Sequence, residues 1–169
     1  MKKFLSTLLT IIIVALMIGT EYVNASTLTA ISSTSDIQSE IEMLEDGYYL
    51  ETVIEDEPNL NTGYSTYSTT KYITKTKTTY YKNSSGSVLW SVGVKATFSY
   101  NGSTAKCTSC SCITTCPAST WSIKSSSSSK YGSAAAATAT AVHINKATGK
   151  TESFTKTVTI KCSPTGVVS

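Results

Sequence analysis

The sequence contains no arginine; all 14 of its basic residues are lysine. The planar guanidinium fork that grips phosphate with two parallel hydrogen bonds is therefore missing, and nucleic acid is not an expected partner. Histidine occurs once, at His143. Carboxylates nearly vanish in the second part of the chain: between residues 58 and 169 the only one is Glu152. A glycosidase needs two carboxylates. A serine–histidine–aspartate arrangement would have to borrow its acid from the N-terminal part. The expected body is thus not an enzyme, and no cofactor is implied.

Long apolar runs are also scarce, and the one present is at the start. Lys2 and Lys3 precede an apolar run over residues 8–18, and Val23-Asn24-Ala25 places small residues before a cleavage point between Ala25 and Ser26. Charge followed by a short apolar run and small residues is the pattern of a secretory signal, too short for a comfortable membrane span. The chain is expected to be secreted or held at the cell wall.

Charge is strongly segregated. Residues 26–57 carry nine carboxylates and no lysine, whereas residues 58–169 carry twelve lysines and Glu152. The expected organisation is a signal peptide (1–25), an acidic N-terminal arm (26–57), a polar linker (58–70) and a folded domain (71–169). The arm reads as a solubilising tail or as a shield over the basic body. It holds one short helix pattern: Ser35 as cap, Gln38 in the capping-box position, Ile37, Ile41 and Leu44 on one face, and Gly47 as the stop. Residues 48–55 read as a strand.

The folded domain is organised by residues 87–101. Val88, Trp90, Val92, Val94, Ala96, Phe98 and Tyr100 share one parity, and small or polar residues share the other. This period of two marks a half-buried strand. At about 3.3 Å per residue it would exceed roughly 40 Å, so a bend near Gly93 is expected. Residues 71–82 alternate less cleanly and read as an edge strand. Asn101-Gly102 signals a two-residue hairpin. The cysteine-rich run to Pro117 reads as loop, and the serines at 125–129 as exposed low-complexity chain. Residues 133–145 and 151–162 form a strand pair turned at Gly149. Trp90, Phe98, Trp121 and Phe154 are the expected core anchors. The sum is an all-β antiparallel sandwich, immunoglobulin-like or jelly-roll-like.

The stretches YKNSSGSVLWSVGVKATFSYNGSTAKC, TTCPASTWSIKSSSSSKYGSAAAATATA and KTVTIKCSPTGVVS resemble a family of small exported Firmicutes proteins catalogued as a domain of unknown function. DGYYLETVIEDEP resembles the segment that precedes that domain. The resemblance runs from about Asp46 to the C-terminus and implies a Gram-positive exported protein. It implies no activity. Cys107 and Cys162 fall in the shared stretches; Cys110 and Cys112 look like additions.

Cys107, Cys110, Cys112 and Cys116 are crowded as in thiolate metal sites, but export favours disulfides over metal. Cys107 and Cys162, both of inward parity, are the first pair. Closing that loop of roughly 55 residues would contribute about 4 kcal/mol. One further pair among Cys110, Cys112 and Cys116 stays open, and five cysteines leave one unpaired. His143 has small or apolar sequence neighbours and reads as a strand-surface residue; Cys116 is its only candidate catalytic partner. Two functional classes follow. One is a binding or structural module of the envelope, with lysines attracting anionic wall polymer and tyrosines stacking on carbohydrate. The alternative is a membrane-active, toxin-like protein using residues 133–160 as an amphipathic hairpin.

Overall fold

A computed structural model describes residues 38–56 and 69–169. The signal region, the cleavage point at Ala25 and Ser26 and most of the linker lie outside them. Eight strands form: β1 Gln38–Met43, β2 Tyr49–Asp56, β3 Lys71–Lys82, β4 Val88–Tyr100, β5 Ala105–Thr115, β6 Trp121–Tyr131, β7 Ala134–Ile144 and β8 Thr151–Lys161. They make an all-β sandwich of a five-stranded sheet, β1-β2-β3-β4-β5, and a three-stranded sheet, β6-β7-β8. Every pairing between these strands is antiparallel and joins sequence neighbours. The order is two meanders joined by one passage from β5 to β6, without the Greek-key connections of immunoglobulin and jelly-roll topologies.

The alternation of β4 sets the core. Trp90, Val92, Val94, Ala96 and Phe98 are buried on its inner face. Opposite them, β7 presents Ala135, Ala137, Ala139 and Ala141, all at most 1% exposed. A methyl is all that fits there, because the large side chains come from the other sheet and the two layers interlock. Strands β6, β7 and β8 lie over β5, β4 and β3, and β1 and β2 extend the larger sheet beyond this cover.

Residues 71–82 are not an edge strand, because β3 lies between β2 and β4, and four further local expectations fail. The helix expected from Ser35 is strand β1 over its described part, because six residues gain a full ladder with β2, whereas an isolated eleven-residue helix is marginal. This segment is therefore a sheet component, not an arm outside the fold. The cysteine-rich run is strand β5 and the serine run is the middle of β6. The turn after β4 spans four residues, since Tyr100 pairs with Ala105. The Asn101 side-chain oxygen accepts from the Ser103 and Thr104 amides at 3.0 and 2.8 Å and holds that wider loop.

Gly93 also differs from expectation. The ladder runs regularly through it, pairing it with Thr78 on one side and Ile113 on the other, and the irregularities lie at Lys82 and between Thr97 and Phe98. A Cβ at Gly93 would stand 2.6 Å from Thr78 Oγ1 and 3.3 Å from the Lys77 carbonyl. Glycine permits close approach here rather than a bend. Gly93→Ala should cost about 1–3 kcal/mol in urea unfolding, and Thr78→Ala/Gly93→Ala should lose less than the two single changes added together.

Candidate functional site

The thiols are arranged by one bulge. Phe98 pairs with Cys107 and Thr97 with Ser109, leaving Thr108 as the extra residue. That insertion shifts the parity, so Cys107, Cys110 and Cys112 all share the inner face of β5 despite their uneven spacing. All five cysteines are free thiols. Cys107 and Cys162 are buried in the core cluster, and Cys110, Cys112 and Cys116 pack against it half-buried. The Cys107 thiol contacts the Ser109 carbonyl at 3.3 Å, and Cys162 that of Ser163 at 3.3 Å. Burial holds the Cys107, Cys112, Cys116 and Cys162 thiols above their ordinary range. A raised value means that these thiols are protonated at neutral pH in the metal-free protein. Among the described residues no three histidine, cysteine, aspartate or glutamate side chains gather as a metal site.

One end of the sandwich is aromatic. Tyr81 stands 5.3 Å from Trp121 and 5.7 Å from Phe154, and Trp121 stands 5.1 Å from Phe154, measured between ring centroids. Trp90 and Phe98 are fully buried, whereas Trp121 and Phe154 cap this end, half-buried. The Trp90 Nε1–H is buried without an acceptor, a cost of about 1–3 kcal/mol that the burial of the ring offsets. His143 stacks on Trp121 at 4.8 Å and 21°. Across the strands, Trp121, His143 and Glu152 form one row. The register thus brings His143 opposite the one carboxylate of the basic part, a neighbour that sequence distance hid. Cys116 owes its raised thiol to burial alone, with no charge partner.

Charge is arranged by β2 and β3. Asp56 pairs with Lys75 and Glu51 with Lys82, and Glu42 of β1 reaches Lys156 of the other sheet at 3.2 Å. These pairs take up Lys75, Lys82 and Lys156, while Lys124, Lys146 and Lys150 toward the aromatic end are exposed. A short hydrogen bond with Glu51 raises Lys82 above its ordinary range.

The opposite end keeps its lysines. There the turn after β4, the β6–β7 turn and the tail after β8 are clamped together. Gly102 N–H donates to the Pro164 carbonyl at 2.8 Å, Cys107 N–H to Gly132 at 2.8 Å and Cys162 N–H to Ser133 at 2.9 Å. Around this clamp lie Lys71, Lys106, Lys130 and Lys161. Lys71 ends a row with Tyr100 and Ala105, and Lys106 ends a row with Ser99 and Tyr72. Lys161 ends a row with Ala134 and Tyr131, and Lys130 ends a row with Ala135 and Ile160. None of these four rows contains a carboxylate. Lys130 Nζ donates to the Thr108 carbonyl, which ties β6 to the bulge. Tyr72 and Tyr131 stand 60% and 56% exposed beside these lysines. Reading the sequence alone missed this basic end, because only the register assembles it; its sequence trace is the pair of Lys-Tyr dipeptides at 71–72 and 130–131.

The raised thiols and Tyr81 give a stability prediction. Burial pushes Tyr81 above 10.0, aided by Tyr48 and by the carboxylates of Glu152 and Asp46. Groups whose folded values are raised contribute fully below their unfolded values and lose that contribution as pH rises through the folded ones. For the reduced protein, the urea midpoint should stay level on the acid side of the ordinary thiol value of 9.0. It should then fall as pH rises past that value, and more steeply past the ordinary tyrosine value of 10.0. A midpoint still level beyond that point would show these groups to be solvated. Comparison of the chain with protein-family models, with curated proteins and with solved structures finds no match.

Proposed function

We propose that this chain is an exported, non-enzymatic binding protein of the cell envelope that attaches to anionic polymer through its basic end. The observation that carries this reading is the gathering of Lys71, Lys106, Lys130 and Lys161 at one end, on rows without a carboxylate. Elsewhere carboxylates of β1 and β2 already occupy lysines. Ammonium groups on flexible stems suit a diffuse polyanion better than a shaped phosphate pocket. The acidic strands, built into the sheet, offset Lys75, Lys82 and Lys156 and leave these four lysines without a facing carboxylate.

Co-sedimentation with purified Gram-positive cell walls across a salt series tests this. The chain should pellet at low salt and release as screening grows. Changing Lys71, Lys106, Lys130 and Lys161 to Gln should weaken attachment by about 1 kcal/mol for each lysine. Changing Lys146 and Lys150 in the β7–β8 turn should leave it intact. Failure to pellet at any salt would overturn the proposal.

Export would also oxidise suitably placed thiols, and we place a Cys107–Cys162 disulfide in the same proposal. Both thiols are buried in one cluster, and their backbone amides bond the carbonyls of consecutive residues. Peptide mapping of the exported protein without reduction should recover a fragment joining the two. Recovery of both as alkylatable thiols would sink the pairing.

A further inference from the structure

The basic end carries the same arrangement on each sheet. On the outer face of the larger sheet, Tyr72, Ser99 and Lys106 lie side by side across β3, β4 and β5. On the outer face of the smaller sheet, Tyr131, Ala134 and Lys161 lie side by side across β6, β7 and β8. In both, an exposed tyrosine and an exposed lysine flank one small residue. In both, the residue after the lysine is a buried cysteine, Cys107 or Cys162, anchored to the β6–β7 turn. The strands run in opposite directions in the two cases, so the likeness is not a repeat of sequence. It arises where the two sheets present their ends.

Each row is a shallow bay. With strands about 4.8 Å apart, the tyrosine and lysine backbones stand roughly 9–10 Å from each other. The residue between them is half-buried Ser99 in one row and buried Ala134 in the other, so it lies low between the two larger side chains. A tyrosine ring offers a rigid, half-apolar face with a hydroxyl at its edge. A lysine two strands away offers a mobile positive charge. Together they match a sugar ring with an anionic group beside it. A lipid surface fits less well: the two bays open on opposite outer faces of a sandwich whose sheets lie about 10 Å apart. A flat bilayer cannot meet both, whereas a flexible chain can pass from one to the other over Lys71 and Lys130.

We infer that the rows Tyr72–Ser99–Lys106 and Tyr131–Ala134–Lys161 are paired subsites for an anionic glycan, each tyrosine carrying a sugar ring and each lysine the neighbouring charge. This rests on the reading of the basic end as a polymer-binding surface and specifies the polymer. It also assigns work to two large exposed side chains that contribute nothing to the core.

The test separates the two levels. The full chain is titrated with oligogalacturonate, with polyphosphate of matched charge, and with vesicles containing phosphatidylglycerol. The variants are Tyr72→Ser, Tyr131→Ser and Lys106→Gln/Lys161→Gln, each checked for an unchanged urea midpoint. Oligogalacturonate should bind more tightly than polyphosphate. Each tyrosine change should weaken oligogalacturonate roughly threefold to tenfold and leave polyphosphate unchanged, while the lysine variant weakens both. Tyrosine changes that affect neither ligand, or both equally, would overturn the glycan subsites, as would vesicles that outcompete the glycan. If no polyanion binds at all, the underlying reading of the basic end falls with them.

Discussion

The fit of the alanine face of β7 against the inner face of β4 is the contact on which the rest depends. One sheet supplies volume, in Trp90, Val92, Val94 and Phe98; the other supplies closeness, in Ala135, Ala137, Ala139 and Ala141. Ala96 relieves the crowding where β4 would otherwise be bulky throughout. Because alanine loses no side-chain entropy on burial, the smaller sheet orders at low conformational cost. Its outer face is then free to be polar, and threonine pairs there bond across strands, Thr138 with Thr157 and Thr140 with Thr155, each at 2.8 Å.

Charge follows from topology. The carboxylates concentrated before residue 57 suggest a detached acidic segment, yet pairing of β2 with β3 lays them along the lysines in register. Individual exposed pairs of this kind contribute little to stability. Their larger effect is on the field: they cancel positive charge along β3 and leave the far end uncancelled. A chain with a small net charge thereby keeps four lysines together at one end on rows without a carboxylate.

How much of this could be read from residues alone varies element by element. Strand β4 was plain, because Trp90 to Phe98 alternate without fault. Strands β5 and β6 were not. Cysteine, serine and threonine give no apolar period, and the bulge at Thr108 breaks what parity there is. Strand β1 fits two patterns, since Ile37, Ile41 and Leu44 suit a helix as well as Ile41 and Met43 suit a strand face; pairing with β2 decides it. The aromatic residues were recognisable as anchors, but the position of Trp121 and Phe154 at one end was not. Tyr72 and Lys106 are far apart in sequence and share a row only through two registers, so the two Lys-Tyr dipeptides are the one local trace of the candidate site.

The meander order has a consequence for how the chain assembles. Each strand within a sheet meets its partner through an adjacent connection, so most pairing closes short loops and carries little entropic penalty. The single passage from β5 to β6 is the one place where the two layers must find each other. Until it closes, each layer shows an uncovered inner face: β4 is strongly apolar there and β7 nearly featureless. The larger sheet, complete by Thr115, would then form first as the chain is made from its N-terminus, and it would stand as the template on which the alanine-faced sheet is laid.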